Sequence, residues 1–305
     1  MAGSACGGEE EGVFMEEVRA SILRGQTLSS NPRSTFLNLR HAQKYATRQA
    51  RLAAGELYPG PVLMPKGLLR ALDPVLALTA GPARLNSPEF VASFEATLRG
   101  RPDGPLLLAL WSSIAGGEIN HQDLRDLVRL MPTPPPVFPE TKEDVLQWVR
   151  PRAGAMARCI LSLSQKGEQT AVKSMEDLAC GLVLVRWITD LPTHLSQRAC
   201  YLPQQDLNAT GATVKDLHQG IVTPEIALYL RTMAQWAQEL LLAGMPVCNE
   251  VGARLARGLR ATVLRSLFLL EQVQDLQKDF FRHPPTLSSW HRWQCAVRAW
   301  WPVRP

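Results

Sequence analysis

The sequence predicts an all-α protein, a single helical bundle preceded by a basic N-terminal extension. Three observations carry this. No run alternates apolar and polar residues at period two, as a half-buried strand would. From about Ser87 onward apolar residues recur at steps of three and four. Helix starts and stops are also written in the chain, with Ser, Asn or Thr ahead of the periodic runs and Gly or Pro after them. The 305 residues are 46% hydrophobic and 20% charged, which supplies a core and excludes a disordered or collagen-like chain.

In chain order, a helix is predicted over 36–54, followed by an extended arm through YPGPVLMP at 58–65. Ser87 and Pro88 read as N-cap and first helical residue of the next helix, which Gly100 stops. Residues 103–115 form another, with Leu106, Leu107, Leu110, Trp111 and Ile114 on one stripe. The following helix starts at Asn120 and is ended by MPTPPPVFP at 131–139, since successive prolines remove backbone donors. Thr141-Lys-Glu-Asp restarts a helix as a capping box. Longer helices are predicted over 168–189, 224–243 and 249–280. The last carries Val251, Leu255, Leu259, Val263, Leu267, Leu270 and Val273 as its inward stripe. The chain thus divides into an arm over 1–86, a helical domain over 87–283 and a Trp-rich tail over 284–305.

Several function classes are excluded or disfavoured. No apolar run reaches eighteen residues, so a membrane-spanning helix is not expected. The cysteines, Cys6, Cys159, Cys180, Cys200, Cys248 and Cys295, form no C-x-x-C pair, which argues against zinc and for a reducing compartment. The histidines His41, His121, His194, His218, His283 and His291 make no H-x-x-x-H pattern, and neither G-x-S-x-G nor a phosphate-binding glycine loop occurs. Glu9, Glu10, Glu11, Glu16 and Glu17 make the N-terminal tip acidic, unlike a transit peptide, so any import is expected to use an internal signal or a leader beyond this sequence.

Charge is polarised in one place. Between 18 and 70, Arg19, Arg24, Arg33, Arg40, Lys44, Arg48, Arg51, Lys66 and Arg70 face the single acid Glu56. The stretch reads either as ordinary solvated surface or as a contact for an acidic protein or anionic lipid, with Arg40, Lys44, Arg48 and Arg51 as partner-binding candidates. Nucleic acid is disfavoured, because Phe36, Tyr45 and Tyr58 do not interleave with the charges. In the tail, Trp290, Trp293, Trp300 and Trp301 either close one end of the bundle or anchor a partner, with Trp300 and Trp301 the leading candidates for contact.

Residues 181–217, GLVLVRWITDLPTHLSQRACYLPQQDLNATGATVKDL, resemble the signature region of the squalene/phytoene synthase family. Tyr201-Leu202-Pro203 stands eleven residues after Asp190, the family's separation, and the Gly211 to Leu217 stretch matches the next element. The likeness spreads over about 90–283 through LLLALWSSI and SLFLLEQVQDLQKDFFRHPP. It implies an isoprenoid synthase bundle. In that family two Asp-rich helices hold magnesium against the leaving diphosphate of a prenyl substrate. Here Thr193 and His194 replace the acids after Asp190, Arg186 stands where Asn is common, and Pro192 interrupts the helix. The prolines at 132–136 sit where a cavity-lining helix usually continues. Before Asp103 the only aspartate is Asp73, so the first motif is missing. Asp190, Thr193, His194, Tyr201, Leu202 and Pro203 are therefore read as vestigial positions, with no catalytic or metal-binding residue.

The resemblance is nearest to the mitochondrial complex I assembly factor 6-like branch. It implies a protein that is not an enzyme and has lost magnesium. It implies an assembly factor or accessory subunit of a mitochondrial complex, complex I foremost, on the matrix side of the inner membrane. Protein subunits and anionic inner-membrane phospholipid are the implied partners. The alternatives are a lipid- or isoprenoid-binding protein and an active prenyl diphosphate transferase.

Overall fold

The computed structural model describes residues 32–57, 66–79, 85, 87–115, 119–162, 169–275 and 280–301. The acidic tip, Arg19, Arg24, the 58–65 stretch, Gly116-Gly117 and Asp279 lie outside these. The described elements are all helical, with no strand among the described residues, as the sequence predicts.

Helix α1 (Pro32–Ala54) leads through a 3₁₀ turn at Gly55–Leu57 toward α2 (Lys66–Leu78). Then come α3 (Pro88–Leu98), α4 (Pro105–Ala115), α5 (His121–Leu130) and α6 (Lys142–Ser162). The central α7 (Gln169–Thr189) is followed by the short α8 (Leu191–Ser196), α9 (Gln204–Ala209) and α10 (Val214–His218). Helix α11 (Pro224–Gly244), the single turn α12 (Val247–Glu250), α13 (Ala253–Asp275) and α14 (Ser289–Arg298) complete the bundle.

The starts follow from local chemistry. Ser87 Oγ accepts the Phe90 N–H at 3.1 Å, and Asn120 Oδ1 accepts that of Gln122 at 2.8 Å. Thr141 and Asp144 satisfy each other's backbone N–H reciprocally, at 2.9 and 3.1 Å, and Thr213 and Asp216 repeat the arrangement ahead of α10. After α3 the chain passes through Gly100 at φ 85°, the left-handed conformation that ends a helix without a Cβ penalty.

Helix α7 is the axis of the fold and packs on α6, α11 and α13. Leu178, Leu184, Ile188, Tyr229, Met233, Leu241 and Val263 are fully buried in this main core. Against α11 the approach is close at two glycines. A Cβ on Gly244 would lie 2.6 Å from Leu178 Cα, and one on Gly181 would lie 2.9 Å from the Leu241 backbone nitrogen. A second core joins Val75, Phe94, Leu110, Leu124 and Leu127 of α2 to α5 with Ala155 and Cys159 of α6. Arg158 binds Asp123 and Asp126 together, at 2.9 and 3.2 Å, and so ties α5 to α6.

The structure corrects two readings. Where the sequence suggests an extended arm after residue 54, Lys66–Leu78 is helical and buries Leu69, Leu72, Val75 and Leu78 in the two cores. Helix α1 rests on α4 through Ala42, Ala46 and Ala109, and Thr47 donates to the buried Asp73 at 2.6 Å. The described parts of the basic stretch, 32–57 and 66–70, thus belong to the bundle, because their apolar positions recur at helical spacing. The predicted helix over 249–280 is broken: Val251 is extended, at φ −97° and ψ 165°, and α13 starts two residues later.

Candidate functional site

The C-terminal end of α7 builds the site. Arg186 and Asp190 lie one turn apart and form an ion pair at the helix end, the pairing their spacing permits. The Asp190 N–H donates to the Arg186 carbonyl at 2.9 Å, and the Asp190 carbonyl accepts from His194 at 3.0 Å, so α8 follows at once with Pro192 in its first turn. Thr189 Oγ1 donates to the Arg186 carbonyl at 3.1 Å. The result is a cleft of about 160 Å³ lined by Arg186, Thr189, Asp190 and Thr193 on one side and by Leu57, Leu269 and Pro284 to Thr286 on the other. Arg186 reaches over Gly55, which sits at φ 53°, and its Cζ would be 3.1 Å from a Cβ there.

Next to the cleft, at His194, runs a ladder of half-buried aromatic rings around the buried Trp187. The rings of Trp148 and Trp187 are 5.7 Å apart, those of Trp187 and Tyr201 5.3 Å, and His194 meets Tyr201 edge-on at 4.7 Å. Arg152 lies 3.9 Å over Trp148 and donates to its carbonyl. Leu202 is buried, and the Pro203 carbonyl accepts from the Tyr229 hydroxyl at 3.1 Å. Of the vestigial positions, then, Asp190, Thr193, His194 and Tyr201 come together, whereas Leu202 and Pro203 anchor the backbone behind them.

The loop before α6 locks onto this segment. Phe138 adopts φ 56°, costly for an aromatic residue, while its N–H donates to the Cys200 carbonyl at 2.7 Å and its carbonyl accepts from Gln204 at 2.6 Å. The proline run thereby serves as a strap across the Tyr201-Leu202-Pro203 turn.

His194 Nδ1 is buried with no partner among the described residues. Burial pushes the His194 pKa below its ordinary value, opposed by Asp190 and assisted by Arg186. A base held neutral in the fold takes up its proton more readily when unfolded, so stability should fall as pH drops through the ordinary histidine range near 6.5. Melting scans should show His194→Phe with a flatter acid limb than the unaltered chain. An identical slope would mean that His194 contributes nothing to it. The neighbouring thiol of Cys200 is pushed up to about 11 by burial, so it is a packed thiol and not a nucleophile.

Among the described residues no group of three or more His, Cys, Asp or Glu could hold a metal ion, and Asp190 already pairs with Arg186. What the cleft offers an anion is the Arg186 guanidinium, shared with Asp190, and the Thr193 hydroxyl, since Thr189 donates its proton to the Arg186 carbonyl.

The other candidate residues lie elsewhere. Arg40, Lys44, Arg48 and Arg51 line one groove of about 990 Å³, with Arg70 of α2 and Ser112 of α4. Trp300 and Trp301 follow α14 and are exposed, as are Trp290 and Trp293, so the tryptophans do not close the bundle. Sequence reasoning missed Gly55, Leu57, Leu269 and the Pro284 to Thr286 segment. Only the Pro-Pro pair after the last long helix signalled a wall.

A profile described as squalene/phytoene synthase matches residues 68–294. The bifunctional protein CrtB/UppS of Streptomyces coelicolor is 32% identical over 120 residues, 39% of this chain. That match spans 21% of the curated relative's own length. Among solved structures, squalene synthase HpnC from Alicyclobacillus acidocaldarius superposes with a TM-score of 0.67 at 19% identity, covering 79% of this chain and 96% of its own. A dehydrosqualene synthase in complex with ligand gives 0.73 at 15%, covering 87% and 97%. YisP from Bacillus subtilis gives 0.68 at 15%, covering 87% and 98%. The profile match overturns the expectation that the chain is not an enzyme, because the family it describes is a family of synthases. That expectation equated missing aspartates with missing catalysis, yet a guanidinium can also neutralise a leaving diphosphate.

Proposed function

The chain belongs to the squalene/phytoene synthase family, and from that premise we propose that it is an enzyme acting on a prenyl diphosphate, whose diphosphate is received by Arg186 with Thr193. The observation that carries the reading is the cleft at the end of α7, where a guanidinium and two threonines line the wall that holds Asp190. When the prenyl carbon–oxygen bond breaks, the electron pair leaves with the diphosphate, the cation left on the prenyl carbon bonds to the double bond of an acceptor prenyl chain, and the guanidinium beside the diphosphate stabilises the charge that develops there. Asp190 then has the role of holding Arg186 in place rather than holding a metal.

The roles separate by experiment. Binding of farnesyl diphosphate is measured by calorimetry, and release of inorganic diphosphate is followed, with EDTA and with added Mg²⁺. The unaltered chain is expected to bind in EDTA. Arg186→Met should weaken binding by about 10–100-fold, the range for hydrogen bonds to a charged group. Asp190→Asn should tighten it, because Arg186 loses its competing anion. Binding that requires Mg²⁺ and disappears in Asp190→Asn would make Asp190 a metal ligand and overturn the proposal.

A second reading, an accessory role in a large assembly such as mitochondrial complex I, draws support from the groove lined by Arg40, Lys44, Arg48, Arg51 and Arg70. Four of these cations follow one face of α1 and suit an acidic protein surface. Migration of the native chain with a large complex on native gels, weakened by charge reversal at those four positions, is its expected mark.

A further inference from the structure

Helix α14 turns small residues inward. Ala296 and Ala299 pack on Ala261 and Leu264 of α13, and Cys295 is buried beside them. The opposite face presents Trp290, Trp293 and Val297, followed by Trp300 and Trp301, with the four indoles 55–64% exposed. Five of the ten exposed large apolar side chains among the described residues are therefore on this one segment. The other five, Leu52, Val91, Val137, Ile221 and Leu228, are scattered singly, as on any surface. Trp290 and Trp293 stack with centroids 5.0 Å apart, and the Arg257 guanidinium sits 3.4 Å from the Trp300 ring. From 280 to 305 the sequence holds Arg282, Arg292, Arg298 and Arg304 and no Asp or Glu.

We propose that this face docks on an anionic lipid bilayer, with α14 lying in the plane of the headgroups. Indole combines a large apolar ring with one polar N–H, which suits the boundary between headgroups and acyl chains. Arginines around it meet lipid phosphates while their stems stay in the apolar layer. No described helix is long and apolar enough to cross a membrane, so the contact is peripheral. A second copy of the chain suits the face less well, because the segment carries cations and no acid to pair with those of its counterpart. The proposal rests on α14 alone and does not depend on the reading of the α7 cleft.

The test is flotation of the full-length chain with vesicles of phosphatidylglycerol and phosphatidylcholine in equal parts, and with phosphatidylcholine alone. The chain should float with the mixed vesicles, its tryptophan emission moving to shorter wavelength, and should be released by salt. Replacing Trp290, Trp293, Trp300 and Trp301 together by Ser should lower partitioning by about tenfold or more with an unchanged melting curve. Arg298→Gln should lower it by about fivefold, at roughly 1 kcal/mol for a cation near the surface. Absence of binding, equal binding to both vesicle types, or unchanged binding of the tryptophan variant would overturn the proposal. So would a Trp-dependent dimer in ultracentrifugation without flotation, which would assign the face to a second copy.

Discussion

Leu259→Ala is expected to destabilise the protein by about 2–5 kcal/mol, the cost of emptying a well-packed leucine site. Leu259 is 5% exposed and sits in the main core, on the face that α13 turns toward α7 and α11. Leu267, which the same periodicity places inward, is only half-buried and should cost much less. The reason is geometric. A helix advances about 100° per residue, so each four-residue step from Leu255 through Leu267 drifts about 40° around the axis. The stripe therefore leaves the core by Leu267, while Leu269, Leu270 and Val273 restore it. Urea denaturation at unchanged m-value measures both. A cost below about half a kcal/mol at Leu259 would put the wrong face of α13 inside.

Gly244→Ala is expected to destabilise the protein by about 1–3 kcal/mol or more. The new Cβ would lie 2.6 Å from both Cα and Cβ of Leu178, and these cannot rotate away because one of them is backbone. Relief requires separating α7 from α11, the two helices on which the main core is built. Gly181→Ala should act in the same direction, against the Leu241 backbone nitrogen at 2.9 Å. Gly252 provides the control, since a Cβ there meets nothing within 4 Å. Thermal melting of the three variants should rank 244 and 181 well below 252. Equal melting points would mean that the helices are not in close contact at these glycines.

What the sequence revealed was mostly local. The caps at Ser87, Asn120, Thr141, Thr213 and Thr223 depend on contacts two or three residues away, and three of these were legible from residue order. The Arg186–Asp190 pair was legible for the same reason. The opposite wall of the cleft was not, because Leu57, Leu269 and Thr286 meet Arg186 only through tertiary packing. Nor was the direction of the tryptophans apparent from their number. The small residues Cys295, Ala296 and Ala299 mark the packed face of α14, and the indoles occupy what remains. The proline-rich loop before α6 reads as an interruption, whereas its Phe138 turn fastens it to Cys200 and Gln204.

Gly55 carries one further consequence, for the ways in which this sequence can change. Its φ of 53° and the Arg186 guanidinium above it leave no room for a side chain. With Arg186 in place, any other residue at position 55 must displace the guanidinium. With Arg186 shortened, position 55 is released from that contact and keeps only its backbone constraint. Substitutions at the two sites are therefore epistatic: the order in which they arise decides whether the intermediate chain retains its cation. The matching family segment begins at residue 68, so half of this coupling lies outside the inherited signature, and swapping that segment alone between relatives would separate Arg186 from the glycine that makes room for it.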